Sequence, residues 1–192
     1  MLPITESELR QLVRVALSTE AIKIGAHVCE ELGVERGAAR VDLALIGAQM
    51  EGYELKSDFD SLGRMHNQIH AYNRVFDKIT LVTGPVFAAA AEELMPRWWG
   101  LMIAQRNEEG IAYLTERRAP TRNTTQDPYS LAMLLWKEEA LSVLTAAQVK
   151  SSPKASRAQL CDQLVETLPL ERLRESVARC LTERLSASVA LS

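Results

Sequence analysis

The segment at residues 78–83 (KITLVT) places the strongest constraint on the fold. Its near-continuous apolar character is typical of a buried central strand. Helical and strand-like patterns surround it in the order helix, three strands, helix, this strand, helix, two strands. That order predicts an α/β core in which a mixed β-sheet is flanked by helices.

Cap and break signals set the predicted bounds of these elements. Thr5 and Glu8 have the spacing of a capping box, which predicts that the first helix begins at residue 6. The predicted elements of the core are helices over 6–18, from Asp60 or Ser61 to about Phe76, and over 86–95, with strands over 22–32, 40–46, 52–57, 78–83, 98–104 and 111–115.

The composition changes at the polar segment 119–127 (APTRNTTQD). Beyond it no strand pattern follows, and helices are predicted over 131–149, 156–168 and 170–185. We therefore predict a core at residues 1–125 and an all-helical extension at residues 126–192.

Composition limits the class of protein. The 192 residues are 47% hydrophobic, which is enough for one core with a small helical appendage. The net charge of -3 weakens the case for a nucleic-acid partner without excluding one, because basic contacts can be local. Three widely spaced cysteines suit free thiols in a reducing cytoplasm. No apolar run approaches the roughly 20 residues of a membrane span, so we expect a cytoplasmic protein without a membrane partner.

Asp42 is the first candidate for chemistry, because it interrupts an otherwise apolar strand. Burying a lone carboxylate is costly unless it is paired or binds a metal. The structural alternative is an aspartate at the end of the sheet, or one that pairs with Arg40.

Glu54 and Lys56 are two residues apart in the next predicted strand, so their side chains share one face of the sheet. If the two strands form a hairpin, Asp42 and Glu54 converge on that face. Two carboxylates and the main-chain carbonyl of Leu55 would make a hard oxygen site for Mg²⁺ or Mn²⁺. Such a metal lowers the pKa of a bound water, and Lys56 could position that nucleophile beside a phosphate.

Gln68 and Tyr72 lie four residues apart on the following predicted helix, and hence on one helix face. They could hold a substrate phosphate or fix Lys56 by hydrogen bonds. Arg64, one turn earlier, could bind the same phosphate. The alternative is that Tyr72 belongs to the core and Gln68 to the solvated surface.

Residues 40–82, which contain the acid, the ExK triplet and the sequence QIHAY, resemble the PD-(D/E)XK nuclease superfamily, in its RecB-like and lambda-exonuclease-like branch. More narrowly, YELKSDFDSLGRMHNQIHAYNRVFD followed by WWG looks like the sce7726 family, small bacterial proteins often associated with phages or mobile elements and classed by sequence as nucleases.

The resemblance implies a restriction-endonuclease-like core and metal-dependent hydrolysis of DNA, in phage or mobile-element biology or in repair. Asp42, Glu54 and Lys56 match the acid, acid and lysine of the motif, and Gln68 and Tyr72 match its helix pair. The superfamily often has one more acidic residue upstream, for which the candidates are Glu31, as a further metal ligand, and Glu8. Val41 stands where the motif name has proline.

The predicted helices of the extension resemble a SAP-like helix-extension-helix, which can bind the DNA backbone. Lys150, Lys154 and Arg157 cluster in sequence near the start of its first helix, so Lys154 and Arg157 join Arg64 as candidate substrate-binding residues. The alternative is a pair of helices that packs on the core, on a second subunit or on a partner protein.

Two other functional hypotheses stay open from the sequence. One is a nuclease-fold module that binds DNA, in preference to RNA, without cutting it. The other is an antitoxin, immunity or adaptor protein whose helical tail binds a partner protein, which fits the acidic charge balance.

Overall fold

The computed structural model describes residues 3–189, which form seven helices and one six-stranded sheet. The strands are β1 (His27–Val34), β2 (Ala39–Ile46), β3 (Met50–Lys56), β4 (Lys78–Thr83), β5 (Gly100–Arg106) and β6 (Ala112–Arg118). The helices are α1 (Glu6–Ile24), α2 (Met65–Asn73), α3 (Ala88–Leu94), α4 (Pro128–Ala132), α5 (Lys137–Ala146), α6 (Arg157–Thr167) and α7 (Leu170–Val189).

The sheet has the strand order β1-β2-β3-β4-β5-β6. β3, β4 and β5 run parallel, whereas β1, β2 and β6 are joined antiparallel to their neighbours. The predicted α/β class, mixed sheet and element order are confirmed. β4 has the predicted bounds and lies near the middle of the sheet, where five of its six residues are buried.

Both faces of the sheet are covered. α1 packs on one face through a small cluster that includes Leu9, Val13, Leu43 and Leu55. α2, α3 and the C-terminal helices cover the other face, where the larger cluster contains Tyr72 and Trp99 as its largest fully buried side chains. β3 therefore lies between two apolar layers. A charged side chain on this strand needs a partner, because burial of a lone charge is costly.

α1 begins with the predicted capping box, since Thr5 accepts a hydrogen bond from the Glu8 amide and Glu8 bonds back to the Thr5 amide. The predicted strand over 22–32 is wrong at its start, because α1 continues to Ile24 and ends at Gly25, whose φ of 66° suits glycine. Ile22 and Ile24 are exposed on this last turn. Their β-branching favoured a strand locally, but the helix overrides it.

Two other predicted helices differ from the structure. The helix expected from Asp60 or Ser61 to about Phe76 spans only Met65–Asn73, because Asp60 instead binds the amide and hydroxyl of Ser57 within the preceding loop. The helix expected over 131–149 is divided into α4 and α5. The break at Pro169 between the last two helices is confirmed.

The polar segment 119–127 is hydrogen-bonded to the core over part of its length. Asn123 donates to the carbonyls of Asn73 and Phe76, and Gln126 donates to the carbonyl of Val75. The helices that follow share the larger hydrophobic cluster with the sheet. The parts of the chain before and after the predicted boundary at 125/126 thus contribute to one hydrophobic core.

A buried ion pair ties α7 to the loop before β4. Asp77 accepts hydrogen bonds from the Met50 amide and from Arg174, and both charged side chains are buried. Cys161 and Cys180 are buried free thiols, as predicted, and Cys29 is half-buried. Within residues 3–189 no helix combines the length and the apolar character that crossing a membrane requires.

Arg174→Met tests the buried ion pair. The substitution leaves the Asp77 carboxylate buried without its cation, which we expect to lower the free energy of unfolding by about 3–5 kcal/mol. Urea denaturation followed by circular dichroism measures the change. The matched control is Arg179→Met on the same helix, where the arginine pairs with Glu183 at the surface and the expected loss is below about 1 kcal/mol. Equal losses for the two variants would contradict the assignment.

Candidate active site

The β2–β3 hairpin is present as predicted, with a connection of three residues, Gly47–Gln49. Its antiparallel pairing runs from Ile46↔Met50 to Leu43↔Tyr53. Continuing this register by one residue places Asp42 opposite Glu54, at the point where the pairing ends. The two candidate carboxylates therefore come from adjacent strands.

The Asp42 side chain replaces a backbone hydrogen-bond partner of β3 at the point where the β2–β3 pairing ends. Its Oδ2 accepts a hydrogen bond of 2.8 Å from the Leu55 amide, which would otherwise face an unpaired gap. The N–H and C=O of a strand residue point toward the same neighbouring strand. The Leu55 carbonyl, the predicted main-chain ligand, therefore also faces the gap beside Asp42.

Glu54 is the centre of a hydrogen-bond network, with only 1% of its surface exposed. Its Oε1 accepts hydrogen bonds from Lys56 and from Gln68, the latter at 2.5 Å, and its Oε2 accepts one from the Tyr72 hydroxyl at 2.8 Å. Tyr72 also contacts the carbonyl of Arg40 at 2.7 Å. The ExK and Q-x-x-x-Y motifs thus meet, but Gln68 and Tyr72 hold the carboxylate of Glu54 rather than Lys56.

Burial raises the pKa of Glu54 above its ordinary value, and the negative charge of Asp42 raises it further. Lys56 and the Tyr72 hydroxyl act in the opposite direction without reversing the shift. Burial and the charge of Glu54 in turn raise the pKa of Tyr72, so this residue stays a neutral hydrogen-bond donor.

Burial also raises the pKa of Asp42. The Leu55 amide, Lys56 and Arg10 all favour the charged form but do not compensate for the burial. Both carboxyls are consequently harder to ionise than in water, because the effect of burial outweighs that of the nearby positive charges. A cation placed between them would lower both pKa values.

Arg10, on α1, is a contributor that the sequence did not reveal. Its NH2 lies 3.1 Å from Asp42 Oδ1 and 3.1 Å from Glu31 Oε1. The structural alternative that Asp42 pairs with Arg40 is wrong, since Arg40 instead lies 3.8 Å from Glu31. No local pattern could have shown the partner of Asp42, because Arg10 is 32 residues away on another element.

Glu31 is the predicted upstream acid that the structure brings to Asp42. The pairing of β1 with β2 skips these two residues, which lie opposite each other. Glu31 has a φ of 57°, a left-handed conformation that is rare for a non-glycine residue inside a strand. Strain of this kind tends to collect at functional sites, where surrounding contacts maintain it.

Glu8, the other candidate, does not face the site. Its carboxylate binds Thr5 within the helix cap and forms an ion pair of 2.6 Å with Arg106. The hydrogen bonds from Arg106 and then from Thr5 lower its pKa to about 2.

The donor set fits a hard divalent cation that keeps much of its own water. Among the residues that the structure describes, no group of three or more Asp, Glu, His or Cys side chains is arranged to hold a metal. Two carboxylates are nevertheless enough for Mg²⁺, which usually retains several waters. Each carboxylate oxygen can accept two hydrogen bonds, and only Glu54 Oε1 has both positions filled. Gln68 Oε1 is buried beside them without a partner and could accept from a bound water.

Thr83 is a second polar residue that the sequence analysis missed. It pairs with Lys56 in the parallel register of β3 and β4, so the two side chains share a face. Its hydroxyl is buried and has no hydrogen-bond partner. The one signal in the sequence is its position as a polar residue at the end of the near-continuous apolar segment 78–83.

The remaining candidates lie outside this network. Arg64 is exposed at the start of α2, one turn before Gln68. Lys154 is exposed beside Asp162 and Glu166, whereas Arg157 donates to the carbonyl of Met133 in the wall of a different cavity. Lys154 and Arg157 thus do not line a common cavity.

The fold and the site together define an α/β protein with a six-stranded mixed sheet and a carboxylate–lysine cluster where two of its strands diverge. Residues 5–191 match the family Bacteriophage P4 protein cII, so the chain belongs to this family of phage proteins. Protein cII of Enterobacteria phage P4 is 27% identical over 182 residues, which cover 93% of this chain and 68% of that protein. No solved structure matches the chain significantly.

Glu8→Gln tests the role of Glu8 as a cap rather than a metal ligand. Glutamine retains the capping hydrogen bonds but removes the charge that pairs with Arg106. Because the folded-state pKa lies below the ordinary value of 4.5, the ionised carboxylate stabilises the fold above pH 4.5, and this contribution is lost as pH falls toward about 2. We expect the difference in unfolding free energy between wild type and Glu8→Gln to shrink over that interval. A difference that does not change with pH would argue against the pairing.

Tyr72→Phe tests the hydrogen bonds around Glu54. Phenylalanine keeps the ring contacts with Phe76 and Trp99 but removes the hydroxyl that lies between Glu54 Oε2 and the Arg40 carbonyl. We expect a loss of about 1–3 kcal/mol in unfolding free energy, measured by urea denaturation. The control is Tyr113→Phe, at an exposed position on β6, for which a change within about 0.5 kcal/mol is expected. Equal stability of the two variants would contradict the hydrogen bonds assigned to Tyr72.

Proposed function

We propose that this protein is a metal-dependent nuclease that hydrolyses phosphodiester bonds of DNA, built on a PD-(D/E)XK, restriction-endonuclease-like core. The observation that carries the proposal is the convergence of Asp42, Glu54 and Lys56 at the diverging end of a hairpin, with Gln68 and Tyr72 bound to Glu54. Five separated sequence positions that resemble one motif meet in one place. Membership in a family named after a phage protein favours a role in phage or mobile-element biology.

Asp42, Glu54 and the Leu55 carbonyl would hold Mg²⁺ or Mn²⁺, with Glu31 as the nearest further acid. When bound, this cation would lower the pKa of a bound water and withdraw charge from a phosphate oxygen. Every other contribution comes from the side chains of the chain itself.

Lys56 is the candidate for direct contact with the reacting group. Its ammonium is buried on the same face as Glu54, and a buried cation interacts strongly with charge that develops on a phosphate. Gln68 and Tyr72 are positioning residues, because their hydrogen bonds fix both oxygens of Glu54. Arg64, exposed one turn before Gln68, is placed to contact the backbone of the substrate.

A second candidate function is a nuclease-fold module that binds DNA without cutting it. The observation that favours it is the Arg10 guanidinium, which already satisfies Asp42 Oδ1 at 3.1 Å. In such a module Arg10 would take the place that a metal has in an enzyme. DNA binding would then be independent of divalent cations.

Cleavage assays on single-stranded, double-stranded and branched DNA and on RNA, each with Mg²⁺ or Mn²⁺, test the proposal. We expect wild type to cut DNA and to lose activity in EDTA. Lys56→Ala and Glu54→Gln should each reduce the rate by about 10²-fold or more, the typical cost of losing one electrostatic contact in an active site. The matched control is Lys78→Ala, since Lys78 pairs with Glu51 at the opposite end of β3 and should leave the rate unchanged.

Circular dichroism and urea denaturation check that each variant folds. DNA bound without cleavage by wild type, with an affinity that EDTA does not alter, would replace the enzymatic proposal with the second candidate. Activity that survives in both Lys56→Ala and Glu54→Gln would place the chemistry elsewhere. Soaking crystals in Mn²⁺ gives an independent readout, since the metal should appear between Asp42 and Glu54.

A further inference from the structure

A cavity of about 440 Å³ lies between the end of β1 and the C-terminal helices. Its volume is within the range of roughly 300–1,000 Å³ that is usual for small-ligand sites. Its walls come from the segment 32–37, from the turn between α4 and α5, and from the first turn of α6. The side chains that matter to its chemistry are Arg36, Trp136, Arg157 and Arg184.

Three guanidinium groups give this cavity positive charge, and Glu35, which also lines it, is paired with Arg74. Arg184 is paired with Glu139. Arg36 donates to the Tyr129 hydroxyl and Arg157 to a main-chain carbonyl, and across residues 3–189 neither has a carboxylate within ion-pair distance. Two arginines in one wall without acidic partners favour an anion, and guanidinium matches phosphate oxygens in geometry.

Trp136 adds a flat aromatic surface at the same cavity. It is 55% exposed, although large aromatic side chains usually bury most of their area. The guanidinium of Arg184 lies 3.9 Å from the ring centroid and covers one face of the indole. A planar ligand can stack on the exposed part, as bases do on aromatic side chains of nucleic-acid-binding proteins.

The backbone that forms the cavity wall is strained. Glu35, Arg36 and Gly37 all have positive φ, at 50°, 59° and 87°. Two of the three are not glycine, so their left-handed conformation costs free energy that other interactions must offset. Such strain concentrates at ligand clamps. The same wall carries buried polar atoms without partners, Glu35 Oε1 and Arg157 Nε.

We propose that this cavity binds a nucleotide, with the phosphate on Arg36 and Arg157 and the base on Trp136. The combination of guanidiniums that have no carboxylate partner with an open indole distinguishes a nucleotide from a simple anion or a simple aromatic ligand. The site needs no metal and is separate from the Asp42–Glu54 cluster. Its ligand can be a free nucleotide or a nucleotide at the end of a DNA strand, and Leu32, which lines the cavity, follows Glu31 in the chain.

Isothermal titration calorimetry in EDTA tests this site without dependence on cleavage. The ligands are dAMP, a 5′-phosphorylated single-stranded oligonucleotide, inorganic phosphate and adenosine. We expect dAMP or the oligonucleotide to bind at least 10-fold more tightly than phosphate or adenosine. Tighter binding of the oligonucleotide than of dAMP identifies a strand as the source, and equal binding identifies a free nucleotide.

Three variants locate the binding. Arg36→Gln and Trp136→Leu should each weaken it roughly 10-fold or more, consistent with the loss of one phosphate contact or one stacked base. Arg36→Lys should restore part of the affinity. The control is Lys23→Gln, an exposed position on α1 where the lysine pairs with Glu20, which should have no effect.

Thermal unfolding confirms that the variants fold. Failure of both dAMP and the oligonucleotide to bind overturns the proposal, and so does unchanged affinity in Arg36→Gln and Trp136→Leu. If phosphate binds as tightly as dAMP, the base does not contribute to binding. If adenosine binds as tightly as dAMP, the phosphate does not contribute. Either result overturns the assignment to a nucleotide. Because all measurements are made in EDTA, they do not depend on whether the protein cuts DNA.

Discussion

The hydrogen bond from the Leu55 amide to the Asp42 carboxylate is the contact on which the site depends. It occurs where β2 and β3 stop pairing, so a side chain replaces the backbone partner that Leu55 would otherwise have. This substitution keeps the two strands together while it opens a gap between them. It also explains why a carboxylate can stand in an apolar strand, since Asp42 is anchored by the sheet rather than buried alone.

The two carboxyls beside that gap are largely buried, and burial opposes their ionisation. Glu54 has three donors, and Asp42 has a main-chain amide and Arg10, yet the pKa of each carboxyl stays raised. Carboxyls whose pKa values are perturbed by burial and by a neighbouring charge are common at functional sites. The nuclease proposal rests on such a pair of carboxyls on adjacent strands, with Lys56 bound to Glu54.

The sequence was informative where the signal was local. The apolar run of β4, the hairpin and the Glu54–Lys56 spacing each follow from a short pattern, and the structure places them as predicted. The sequence did not reveal features that are caused by residues distant along the chain. Arg10 reaches Asp42 across 32 residues, and the left-handed conformation of Glu31 is imposed by its neighbours in space. The last turn of α1 overrode the β-branched residues Ile22 and Ile24, because a helix continues until a residue such as Gly25 stops it.

The contact between Asp77 and Arg174 has a consequence for how this chain can diversify. It joins the loop that leads into the central strand to the last helix, and the apolar cluster runs without interruption through both parts. Recombination that exchanged the C-terminal third for a foreign sequence would remove Arg174 from the buried pair. It would also expose the face of the sheet that the C-terminal helices cover. Insertions and exchanges should therefore be tolerated at surface loops, such as the β5–β6 turn, rather than at the polar segment that resembles a natural junction.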